Sequence, residues 1–148
     1  MTVFAIKISK KNKFYKSVLL FFTLTLFFSP LKASEAFSNI ETKIKVFIMQ
    51  LNPKSSREQI NENLKKLQGF LEQNLEQADK GSIKLTEKEK YLLTALSEYL
   101  KIFQPFEKTQ CSSYLREILL GYNGTEINEQ TPPSAKIAFQ VYKKLCRL

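Results

Sequence analysis

From Phe37 to Leu145 the apolar side chains return every third or fourth position, and no stretch bounded by turn residues alternates apolar with polar. A recurrence near 3.6 residues places side chains on one face of a helix, whereas a strand needs a period of two. The chain is therefore predicted to be all-α, a small bundle of about five helices.

The first helix is expected over Phe37–Leu51, with Phe37, Ile40, Ile44, Phe47, Ile48 and Leu51 inward, and Asn52-Pro53 ends it. Ser55 with Glu58 reads as a capping box opening a second helix, whose inward stripe is Ile60, Leu64, Leu67, Leu71, Leu75 and Ala78. Lys80-Gly81 closes it. Gly69 inside that helix costs about 1 kcal/mol against Ala, so either a neighbour packs closely there or the helix is locally weak.

Thr86 and Glu89 form a second capping box. The third helix should bury Leu92, Ala95, Leu96, Tyr99 and Phe103, but Tyr91, Leu93, Leu100 and Ile102 widen its apolar arc, as in an element contacted from more than one side. A fourth helix follows Pro105 with Cys111, Tyr114, Leu115, Ile118 and Leu119 on one face, and ends at Gly121. After a polar loop carrying Asn123-Gly124, Pro132-Pro133 suits the first turn of a fifth helix that buries Ile137, Ala138, Val141, Tyr142 and Leu145.

Ahead of the helices stands a different kind of segment. Lys7, Lys10, Lys11, Lys13 and Lys16 precede the apolar run Val18–Phe28, which Ser29-Pro30 stops. A basic region, a short apolar core and a helix breaker are the order of a secretory signal peptide. Eleven helical residues would span roughly 16 Å, about half of a ~30 Å hydrocarbon layer, which disfavours a stable membrane span. Ser34-Glu35-Ala36 puts small residues at the −3 and −1 positions, and Leu31-Lys32-Ala33 is an acceptable second site, so cleavage is expected after Ala33 or Ala36. The expected organisation is a signal peptide over 1–33 and a single all-α domain over 34–148, exported to a periplasm or the extracellular space.

The charge balance changes with that reading. The whole chain carries 23 Lys and Arg against 14 Asp and Glu; without the six lysines that precede Ser34, 17 basic residues face 14 acidic ones and the net charge falls from +9 to +3. Most of the basic excess is thus an export address, which weakens the case for a nucleic-acid partner. What remains is Lys136, Lys143, Lys144 and Arg147 in the last helix, a candidate contact patch for an acidic partner. Three of the four also sit in the final turns, where a cation opposes the helix dipole without any partner.

Cys111 opens the fourth helix and Cys146 closes the fifth. In an antiparallel hairpin of these helices the two thiols meet, with Leu115 opposite Tyr142 and Leu119 opposite Ala138. An oxidising compartment would make the bond a structural disulfide. Redox pairs are spaced far more closely, as in Cys-x-x-Cys.

Little catalytic chemistry is left. There is no His, the only Asp is Asp79, and neither GxGxxG nor GxxxxGK[ST] occurs. Of the glutamates at helical spacing, Glu58/Glu62 and Glu72/Glu76, and of Glu87/Glu89 opening the third helix, Glu58, Glu87 and Glu89 read as favouring their helix N-termini through the macrodipole, and Glu62 with Lys66 and Glu76 with Lys80 as surface ion pairs. The tyrosines read as core-edge residues with a wet hydroxyl. Asn123-Gly124-Thr125 matches a glycosylation acceptor, meaningful only where such machinery exists.

The expected function is that of a small exported, non-catalytic helical protein that binds another protein, as an inhibitor, immunity factor, adaptor or secreted effector does, with no cofactor and no metal. The alternative is a carrier of an apolar small molecule in a helical pocket, suggested by the wide arc of the third helix and by Gly69. An enzyme working with Glu, Tyr, Lys or Ser has no motif behind it.

Overall fold

The computed structural model of the chain describes residues 33–146. The leader up to Lys32, and with it the predicted signal sequence, lies outside the described residues, as does Arg147 of the basic set.

Five α-helices make up the described domain: α1 (Glu35–Gln50), α2 (Arg57–Asp79), α3 (Glu87–Ile102), α4 (Cys111–Leu120) and α5 (Pro133–Cys146). One 3-10 turn, Lys108–Gln110, leads into α4, and no strand occurs among the described residues. The helices run alternately up and down. Lys90 at the start of α3 pairs with Asp79 at the end of α2 (3.5 Å), and Asn61 in the first half of α2 accepts from the N–H of Phe106 beyond the end of α3 (2.8 Å). The start of α1 meets the start of α3 through Ser34 and Glu89. α3 packs against α2, α4 and α5, while α1 packs against α2 and α5.

The stripes predicted for α1 and α2 form the core. Ile40, Ile44 and Ile48 of α1 and Ile60, Leu64, Leu67 and Leu71 of α2 are buried, whereas Phe47 and Leu75 are only partly covered. Each fully buried Leu or Ile side chain contributes about 1.5–3 kcal/mol through removal from water. In α4 the buried residues are Tyr114 and Ile118; in α5 they include Ala138, Val141 and Leu145, with Ile137 and Tyr142 flanking them.

Two sequence expectations shift. The cap of α2 is Ser56, whose hydroxyl accepts from the N–H of Gln59 (3.2 Å), rather than Ser55 with Glu58. Ser55 is engaged in the preceding turn, donating its N–H to Asn52 O at 3.0 Å, so the helix starts one residue later. The inward stripe of α3 is also rotated: Leu93, Leu96, Leu100 and Phe103 are buried together with Glu89 and Ser97, while Leu92, Ala95 and Tyr99 are half-buried. The arc is wide enough for either setting, and the helices packed on both sides of α3 decide it.

Other features fall where the pattern put them. Thr86 and Glu89 form the reciprocal capping box of α3. Gly81, at φ 76°, follows the last turn of α2 in the left-handed conformation that favours glycine. Glu62–Lys66 and Glu76–Lys80 are surface pairs. Gly69 faces solvent, and beyond its own stretch of helix no heavy atom lies within 4 Å of where its Cβ would be, so close helix packing is not the reason for it.

Cys111 and Cys146 are disulfide-bonded, with Cα atoms 5.7 Å apart. The bond joins the first residue of α4 to the last of α5, as the antiparallel register requires. Among the described residues no helix is long and apolar enough to cross a membrane.

Candidate functional site

α3 presents two faces. One carries the buried leucines. The other carries Tyr91, Ala95, the adjacent Glu98 and Tyr99, and Ile102, on successive turns, and these line a cleft of about 360 Å³. Its far wall comes from Glu117 and Gly121 at the end of α4, Tyr122 in the following loop, and Pro132 and Ser134 at the start of α5.

The loop holds its shape through its own side chains. The Tyr122 ring covers Gly124, its hydroxyl donates to Glu126 O at 2.6 Å, and Asn123 next to it takes φ 57°. Buried Thr131 accepts from Asn128 N–H at 2.9 Å through its hydroxyl. Asn123, the glycosylation-type asparagine, is exposed on this loop.

Within the cleft Tyr99 lies with its ring against the Gly121 backbone. Burial raises the Tyr99 hydroxyl above its ordinary pKa, and the neighbouring Tyr122 and Tyr91 hydroxyls push it the same way, so Tyr99 stays neutral at any physiological pH. Tyr91 at the rim is 76% exposed. Glu98 pairs with Lys101 at 2.5 Å, and no lysine or arginine is among the lining residues. The cleft is therefore an aromatic concavity with a carboxylate on each of two walls. It offers an apolar seat and acceptors.

The tyrosines separate into two kinds. Tyr114 is a core residue whose hydroxyl is taken up by backbone rather than left wet: it is buried, with ring centroids 5.2 Å from Phe103 and 5.8 Å from Phe106, and accepts from Glu107 N–H at 2.7 Å. Tyr91, Tyr99 and Tyr122 instead converge on the cleft. Only Tyr91 has a signal in the sequence, as part of the excess width of the α3 arc; the sequence pattern puts Tyr99 in the inward stripe, and Tyr122 lies in the loop after α4.

The described members of the basic set, Lys136, Lys143 and Lys144, all lie on α5. Lys143 and Lys144 border a shallow groove of about 430 Å³ with Ile48, Met49, Pro53 and Gln140, where Met49 is largely exposed. Lys136 lies near the other end of α5, with its ammonium donating to Glu129 O at 2.8 Å. Lys143 sits 5.6 Å from the Phe139 ring centroid. Lys136 and Lys143, seven residues apart, stand two turns from each other along one face of α5.

The polar centre of the domain is Glu89, 8% exposed. Its carboxylate accepts from the Thr86 N–H (2.8 Å), from the Ser34 N–H (2.8 Å) and from the Ser34 hydroxyl (2.9 Å). Ser34 in turn accepts from Phe37 N–H as the cap of α1. One carboxylate therefore serves the first turns of α1 and α3. Burial pushes its pKa up, but the hydrogen bonds from Ser34 and Thr86 together outweigh that and hold it below the usual carboxylate range. Its position in a capping box was legible; its partner 55 residues earlier was not. Among the described residues no three Cys, Asp or Glu side chains are grouped to hold a metal ion. No protein-family model, curated protein or solved structure matches the chain.

Proposed function

We propose that this protein is exported and acts without catalysis, by binding another protein outside the cytoplasm through the tyrosine cleft. The observation that carries the reading is Tyr91, a large side chain left 76% exposed at the rim of a concavity where two further tyrosines converge. Tyrosine supplies much contact area for little rotamer entropy and is enriched where binding energy concentrates. With Glu117 on one wall, Glu98 on the other being paired with Lys101, the cleft suits a partner segment that inserts an apolar or aromatic side chain flanked by a cation. Export is supported by the lysine-rich leader with its short apolar run, and by the disulfide, a bond that persists in oxidising compartments.

The test is a photo-crosslinking side chain placed at position 91 and, as a control, at exposed position 69, in full-length protein expressed in its own host. The expected result is a discrete protein adduct from position 91 alone, lost when Glu117→Lys reverses the charge of the wall. Identical adducts from both positions, or none from position 91, would sink the proposal. A co-purified apolar small molecule seen by native mass spectrometry would favour a carrier instead.

A further inference from the structure

The leader leaves two candidate cleavage bonds, and the cleaner small-residue pattern points to the later one, after Ala36. The folded domain points to the earlier one. Ala33 is exposed and Ser34 is extended, with φ −60° and ψ 151°, whereas Ala36 and Phe37 already lie in the first turn of α1. Cutting after Ala36 would delete Ser34, and with it two of the hydrogen bonds that compensate the buried Glu89 carboxylate and the side chain that caps Phe37 N–H. It would also place a new ammonium on Phe37 inside a helix N-terminus, where positive charge is disfavoured.

We propose that the bond hydrolysed on export is Ala33–Ser34, and that the Ser34 α-ammonium it creates forms an ion pair with Glu89. The assignment rests on the export reading given above. Water adds across the peptide bond under a signal-peptidase-class endopeptidase: the Ala33 carbonyl leaves with the leader as a carboxylate, and the Ser34 nitrogen becomes an ammonium. That nitrogen already lies 2.8 Å from Glu89 Oε1 in the intact chain. Cleavage therefore converts a hydrogen bond between the carboxylate and a neutral amide into an ion pair between the same two atoms. The same carboxylate offsets the positive charge that processing leaves at the start of α1. Maturation in this scheme strengthens the junction of α1 and α3.

The experiment expresses the full chain in a bacterial host, recovers the exported protein and reads its N-terminus by intact mass. Its α-amine is then labelled with an amine-reactive reagent near neutral pH. A chain beginning at Ser34 is expected, with α-amine labelling about tenfold slower than in Glu89→Gln, as one unit of pKa implies. Thr86→Ala, which weakens the α3 cap but keeps the Glu89 carboxylate, should retain the slow labelling. A chain beginning at Phe37 overturns the assignment while leaving export intact. An uncut chain from Met1 overturns the export reading beneath it. Equal labelling in wild type and Glu89→Gln overturns the ion pair.

Discussion

A Cβ placed on Gly121 would lie 2.7 Å from Cε1 of Tyr99, closer than packed carbon atoms approach. Gly121 adopts ordinary right-handed helical angles, so glycine serves there to admit a ring rather than to turn the chain. Gly121→Ala should displace the end of the Tyr99 ring toward the cleft and cost about 1 kcal/mol, the low end for overpacking because the ring is only half-buried. In urea denaturation the loss should shrink markedly when Tyr99→Ala is already present, a coupling that a double-mutant cycle reads directly.

The two faces of α3 should respond oppositely to truncation. Leu96, fully buried, is expected to cost about 2–5 kcal/mol as Leu96→Ala. Tyr91→Ala should leave stability within about 0.5 kcal/mol, because the side chain is mostly in water. Thermal unfolding of the two variants checks the stripe assignment, and a large loss at Tyr91 would mean the cleft is part of the core.

Glu89→Ala should cost about 2–4 kcal/mol, since it strips acceptors from the first turns of two helices at a buried position. The pH dependence has a defined sign. Unfolded, the carboxyl titrates near 4.5; folded, it titrates lower. Its contribution is therefore full above pH 4.5 and is lost as pH falls through the folded value. Urea midpoints followed from about pH 7 to about pH 3 should show this acid limb in the wild type, and Glu89→Gln should flatten it.

Gly69→Ala and Gly81→Ala make a matched pair. At Gly69 nothing lies near the new methyl group and the backbone is helical, so the substitution should stabilise the protein by up to about 1 kcal/mol. At Gly81, with φ 76°, the same change should destabilise it by about 1 kcal/mol. Melting temperatures moving in opposite directions are the expected readout.

Helix existence, most caps and the disulfide were legible because each depends on short-range pattern or on the register of one hairpin. Ile44, Leu64 and Leu71 are buried where their period puts them. Ser56 in place of Ser55 turned on which serine the preceding Asn52 turn consumed, a backbone choice with little trace in composition. The rotation of α3 and the convergence of Tyr91, Tyr99 and Tyr122 depend on which neighbours flank a helix that is apolar most of the way round. Ser34 meeting Glu89 depends on α1 and α3 starting at the same end, a fact of topology.

The disulfide between the first residue of α4 and the last of α5 closes α4, the loop after it and α5 into a covalent ring. The loop over Tyr122–Thr131, which builds one wall of the cleft, lies within that ring. A protease that cuts this loop therefore releases nothing: the nicked protein keeps its full mass on a non-reducing gel and separates into two pieces only after reduction.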